Sequence, residues 1–118
     1  SILESLRILL KTEGFTAHVA HGGKAGVEQI AALRPDIVVS DVRMPGVDGL
    51  QVLAAARAYD ARVPVVLMTA QASLQTAIQA VNEGAFHYLQ KPFRNDELVA
   101  IVRRAAEARS LRVENQQL

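Results

Sequence analysis

Cysteine is absent from the chain. Disulfides, thiolate-held zinc and cysteine nucleophiles are therefore excluded, which fits a reducing compartment. Charge of one sign is also lacking: thirteen Lys and Arg stand against twelve Asp and Glu, a net +1, and so even a balance gives no argument for nucleic acid. No apolar run approaches the roughly 20 residues of a membrane span, and no signal peptide is visible. Low-complexity stretches and useful repeats are missing as well. What is present is 118 residues, half of them apolar and 21% charged. That is enough for one globular domain with a real core, expected in the cytoplasm.

Helix-like and strand-like segments alternate with short connections. Ser1-Ile2-Leu3-Glu4 has the spacing of a capping box, Ile2, Leu6, Leu9 and Leu10 form one apolar face, and Gly14 can stop this first helix. A short strand is expected over Phe15 to Ala20. A helix follows from about Lys24 to Leu33, closed by Pro35, and then a strand over Asp36 to Ser40. Asp48 can cap a third helix reaching Ala58; a strand over Val63 to Met68 and a helix over Leu74 to Glu83, stopped by Gly84, come next. Phe86 to Leu89 is the last expected strand. A final helix, capped by Asn95, meets neither Gly nor Pro before the end of the chain.

Such alternation implies an α/β fold, with parallel strands joined by right-handed crossovers and helices on both faces. Near-continuous Val, Ile and Leu runs agree, because strands of this class are buried on both sides. Ligands of open parallel sheets bind outside the carboxyl ends of the strands. Asp41 follows the run Ile37-Val38-Val39, Thr69 ends the run that starts at Val63, and Lys91 comes just after Phe86 to Leu89. An acid, a hydroxyl and an ammonium are thus expected at one rim. Together they suit phosphoryl transfer: a carboxylate can attack phosphorus, while a fixed cation and hydroxyl donors neutralise the equatorial oxygens. The plainer reading is a structural Asp41–Lys91 ion pair beside a threonine that merely ends a strand.

The segments SDVRMPGVDG, VVLMTA and GAFHYLQKPF, in that order and spacing, resemble the receiver domain of two-component response regulators over nearly the whole chain. The resemblance implies a flavodoxin-like, doubly wound (βα)5 fold spanning residues 1–107. It makes Asp41 the phosphoacceptor, Thr69 the hydroxyl that closes on the phosphoryl group and Lys91 its ion-pair partner, with Lys91–Pro92 a cis peptide. Asp41 and the backbone carbonyl of Arg43 would be ligands of Mg²⁺. Arg43 and Gln71 occupy positions that in this family tune how long the phosphoryl group survives. Tyr88 would change rotamer as Thr69 moves, altering self-association through the fourth helix, last strand and last helix. A sensor histidine kinase is the implied phosphoryl donor. The domain itself is a signalling switch that catalyses only transfer to, and hydrolysis from, its own aspartate.

One departure stands out. Receivers begin with a strand ending in an acidic pair that holds magnesium, and here that pair would fall immediately before Ser1. The strand normally lies between those at Phe15 and Asp36, so without it both neighbours lose backbone partners. The natural protein is expected to continue upstream, with a strand borrowed from another molecule as a second possibility. For the chain as given, weak or absent phosphorylation is expected, because one carboxylate holds Mg²⁺ poorly.

At the other end, Ala108, Leu111, Asn115 and Leu118 fall at heptad a/d spacing, open to two readings: a solvated amphipathic tail, or a short coiled-coil linker over 108–118. The tail resembles the segment joining receivers to the ATPase domain of nitrogen-regulator-type, sigma-54-dependent transcriptional activators. An output domain in cis is therefore expected, with DNA binding located there. His18, His21 and His87 are scattered and receive no metal role. Arg103, Arg104, Arg109 and Arg112 are expected to solvate the last helix or meet a partner.

Rival readings keep the fold and change the site. A flavodoxin-like FMN carrier would be coloured. A haloacid-dehalogenase-type phosphatase would place a second aspartate where Arg43 stands. A receiver that signals by dimerisation without phosphorylation would need no acidic pair.

Overall fold

The computed structural model describes residues 2–42, 48–70 and 73–117, with side chains described over 3–42, 48–70 and 73–111. The Ser1 half of the expected capping box, and Arg43 and Gln71, lie outside the described residues. Among the described residues eight elements follow one another: α1 (Ile2–Thr12), α2 (Gly23–Leu33), β1 (Val38–Asp41), α3 (Gly49–Tyr59), β2 (Val65–Thr69), α4 (Leu74–Asn82), β3 (His87–Gln90) and α5 (Asn95–Gln117). The three strands form one parallel sheet in the order β1-β2-β3.

Side-chain alternation divides the core in two. Val65 and Leu67 of β2 point to the face covered by α2, α3 and α4, where they pack with Ile30, Val52, Leu53 and Ala80. Val66 and Leu89 point the other way, against Leu98, Ile101 and Val102 of α5 and the Leu6, Leu9 and Leu10 face of α1. Every residue of β2 is buried, as a central strand of a two-sided sheet requires. This is the two-faced parallel α/β arrangement that the alternation predicts, and it matches the flavodoxin-like, doubly wound fold that the resemblance implies. Among the described residues no helix is long and apolar enough to cross a membrane.

Local signals place the helix ends. Asp48 caps α3: its carboxylate accepts from Gln51 N at 3.0 Å while the Gln51 side chain accepts from Asp48 N at 2.9 Å, a reciprocal capping box. Gly84, at φ 94°, turns the chain out of α4, and a Cβ there would strike the Arg57 guanidinium.

Two expectations are corrected. Residues 15–20 form no strand. A strand exists only with a ladder partner, and β1, the nearest strand in the resemblance-derived order, instead lies at an open sheet edge. Phe15, Ala17 and Val19 line a cavity of about 610 Å³ together with Val38, Val39 and Ser40 of the β1 region, so no described strand pairs with them. Held by contacts such as Gln29 Nε2 to Val19 O at 3.2 Å, the segment stays irregular. The second correction concerns Asn95, which is the first residue of α5 and not its cap. Arg94 precedes the helix, and its N–H donates to Glu97 Oε1 at 3.3 Å.

Two arginines of α5, Arg103 and Arg109, are more engaged than solvation requires. Arg103 bonds the carboxylate and carbonyl of Glu13 at 2.8 and 3.3 Å, with its guanidinium 5.7 Å from the Phe15 ring centroid. Arg109 Nε sits 3.2 Å from Asp36 Oδ1, an ion pair without hydrogen-bond geometry in which that nitrogen is otherwise buried and unpartnered. Both contacts tie α5 back onto the domain.

Candidate functional site

Parallel register carries the three predicted residues to one rim. Asp41 is the last residue of β1 and Thr69 the last of β2, with Asp41 opposite Met68. Lys91 follows β3 directly, and its backbone N–H donates to Thr69 O at 2.7 Å. Val42 N donates to Met68 O at 2.8 Å, so the strand ends are laced where the side chains emerge. Lys91 Nζ lies 2.5 Å from Asp41 Oδ1, both side chains being a little over a quarter exposed (27% and 29%). A pair this accessible contributes on the order of 0.2–1 kcal/mol to stability. Both groups are therefore within reach of an incoming ligand. The Lys91–Pro92 peptide is cis, as the resemblance implies.

Thr69 is only 4% exposed. It lies two residues beyond Leu67, and β2 pairs Leu67 with Tyr88, so alternation places Thr69 and Tyr88 on the same α4-covered face. Tyr88 packs against that half of the core and its hydroxyl meets Thr76 Oγ1 of α4 at 2.7 Å. Asp41 and Lys91 thus lie in direct contact, and Thr69 joins them through the backbone of the rim.

A residue missed by sequence reasoning holds this arrangement in place. Gly49 N donates to Val42 O at 2.9 Å, bringing the start of α3 against the end of β1. A Cβ on Gly49 would overlap the Asp41 carbonyl oxygen and come within 2.7 Å of Val42 Cα. The signal was present as a glycine directly after a helix cap, but only the packed backbone shows that it is a close-approach position.

Magnesium can be tested against the donors present. Asp41 supplies one hard oxygen, and among the described residues no group of three or more His, Cys, Asp or Glu could hold a metal. Mg²⁺ demands near-octahedral oxygen ligands, so the described residues do not by themselves complete its site.

His87, the first residue of β3, is held below its ordinary 6.5 by burial, with the charge of Arg104 adding to the effect. The fold favours its neutral form, so on acidification the unfolded chain takes the proton first. Stability is then unaffected above the unfolded value of 6.5 and declines from there down to the folded value. His87→Gln is expected to flatten that acid-side decline in denaturant titrations run at successive pH values.

Comparisons with known proteins bear on the family and the fold. The family model described as response regulator receiver domain matches residues 1–103. The chain is 41% identical over 115 residues to regulatory protein AtoC of Escherichia coli K12 and 42% identical over 105 residues to its DNA-binding transcriptional regulator NtrC. These matches cover 94% and 89% of the chain but only 25% and 22% of those longer relatives. Among solved structures, a receiver domain protein from Clostridium thermocellum superposes with a TM-score of 0.87 at 28% identity, over 93% of this chain and 89% of that one. NtrX from Brucella abortus superposes with a TM-score of 0.89 at 27% identity, over 98% of this chain and 26% of that one. With its strand-end acid, hydroxyl and lysine on a parallel sheet, the chain belongs to the response regulator receiver domains.

Proposed function

We propose that the chain is the phosphoacceptor switch of a two-component system, with Asp41 taking a phosphoryl group from the histidine of a sensor kinase. The observation that carries this reading is the Asp41–Lys91 contact at the exposed rim where three parallel strands end. In the transfer, an Asp41 carboxylate oxygen attacks phosphorus, the bond from phosphorus to the imidazole nitrogen breaks, and the kinase histidine leaves. Lys91 offsets charge on the equatorial oxygens, and Thr69 closes on the new acyl phosphate. Mg²⁺ would be held by Asp41 and the Arg43 carbonyl together with an acidic pair upstream, supplying further charge neutralisation. Arg43 and Gln71 set how quickly water removes the phosphoryl group.

Phosphorylation adds about −1.5 to −2 charges and three acceptor oxygens, enough to bias a two-state element. Tyr88 and α4 form that element. The response is a change in self-association through α4, β3 and α5, or through the linker that the sequence reading places over 108–118, which leads to an output domain in cis. The domain makes no direct contact with DNA. Exposed Leu74, Ile78 and Val81 on α4, 78%, 51% and 67% accessible, support a partner surface there.

Incubating the chain, extended upstream through the acidic pair, with acetyl phosphate and Mg²⁺ tests the proposal by intact mass. A single phosphoryl adduct on Asp41 is expected; an unmodified, self-associating protein would favour phosphorylation-independent dimerisation, and a yellow one an FMN carrier. In the same preparation Thr69→Ala is expected to take up the phosphoryl group yet leave sedimentation unchanged. A normal association response in that variant would remove Thr69 from the relay.

A further inference from the structure

The first turn of α4 is closed by an unusual pair of hydroxyls. Ser73 caps the helix, accepting from Thr76 N at 3.2 Å, while Thr76 Oγ1 accepts from Ser73 N at 3.3 Å. The same Thr76 oxygen is 3.2 Å from Ser73 O, to which it can donate, and 3.0 Å from Ser73 Oγ. Its shortest contact is with none of these. It is with the Tyr88 hydroxyl on β3, at 2.7 Å, the ordinary optimum for an O–H···O bond.

A hydroxyl has one proton and two acceptor lone pairs. If Tyr88 donates, Thr76 Oγ1 accepts from Tyr88 and from Ser73 N–H and gives its own proton to Ser73 O, and every site on the oxygen is used. Removing the Tyr88 proton leaves one lone pair without its donor, and the Thr76 hydroxyl that accepts from Ser73 N–H is no longer fixed from the β3 side. The cap of α4 therefore depends on where the Tyr88 ring stands. This dependence reaches the surface, because Leu74, in the first turn of α4, belongs to the same exposed stripe as Ile78 and Val81.

We propose that Thr76 is a positioning residue that fastens the Tyr88 hydroxyl to the N-terminal cap of α4, so that displacement of the ring loosens the first helical turn. Its meaning for signalling rests on the switch reading above, whereas the latch itself belongs to the resting chain. The two can therefore fail separately.

The test is amide hydrogen exchange by NMR on the 118-residue chain without phosphoryl donor, reading Thr76 N–H relative to Leu67 N–H in the buried strand β2 so that global unfolding cancels. Tyr88→Phe, which removes one oxygen and no α4 atom, is expected to speed Thr76 exchange about three- to tenfold, the range of one net hydrogen bond. Thr76→Ser is expected to keep exchange near the wild-type rate, because it retains the hydroxyl. In a Thr76→Val background, Tyr88→Phe is expected to add nothing. An unchanged Thr76 rate in Tyr88→Phe, or the same acceleration with and without the Thr76 hydroxyl, overturns the latch. A chain that passes this test but takes up no phosphoryl group keeps the latch and loses the switch.

Discussion

Asp41→Asn is expected to abolish phosphoryl uptake while leaving the fold standing. The amide keeps the shape of the side chain but loses the anionic oxygen that attacks phosphorus in the proposed transfer, so uptake is expected to fall to background and not by a modest factor. The structural cost is small, since the lost partner is one rim-exposed lysine and pairs of this kind contribute about 0.2–1 kcal/mol. Two measurements on the upstream-extended chain separate these effects: intact mass after acetyl phosphate and Mg²⁺, and the urea unfolding midpoint. A phosphoryl adduct persisting on the Asn variant would move the acceptor elsewhere. A collapsed midpoint would make the Asp41–Lys91 pair chiefly structural, the plainer reading that the sequence leaves open.

Gly49→Ala has the second large effect, and it acts through backbone. The added carbon overlaps the Asp41 carbonyl oxygen and crowds Val42 Cα, and no rotamer can relieve contact with main chain. Either the Gly49 N to Val42 O bond opens or the end of β1 shifts, and both move Asp41 relative to Lys91. Overpacking of this sort costs about 1–3 kcal/mol, occasionally more, so a lower unfolding midpoint and slower phosphoryl uptake are expected together. Gly26→Ala is the matched control. It lies inside α2, and its Cβ would be 4.0 Å from Ala20 Cβ, an ordinary contact. There the helix propensity of alanine should stabilise by roughly 0.5–1 kcal/mol. A Gly49→Ala protein as stable and as reactive as the original would show that the close approach at β1 has no bearing on the site.

Much of the architecture is legible in the chain because its signals are local. Asp48 next to Gly49 announces α3, Gly84 announces the end of α4, and the apolar runs at Val38, Val65 and Phe86 announce strands within a residue or two of where they form. Phe15 to Ala20 carries the same kind of pattern and forms no strand, because strand structure is a relation between two segments and pattern describes only one. Asn95 failed differently: it has the chemistry of a cap, but the helix begins one residue earlier than that role allows. Gly49 stands in the sequence simply as the residue after a helix cap, and its role as a packing constraint is invisible there. Thr76 carried no sequence signal for its role at all, since its partner Tyr88 lies on another element.

The order of residue types along the polymer was sufficient to decide the layered α/β class and to put an acid, a hydroxyl and an ammonium each at the end of a strand, since both follow from short-range periodicity and from the handedness of parallel crossovers. Folding in three dimensions turned the Asp41–Lys91 pair from a reading into a contact, and alone decided that Gly49 abuts the Asp41 carbonyl and that Tyr88 joins the cap of α4. Those contacts depend on register and inter-element spacing at the scale of an ångström, which no one-dimensional pattern encodes.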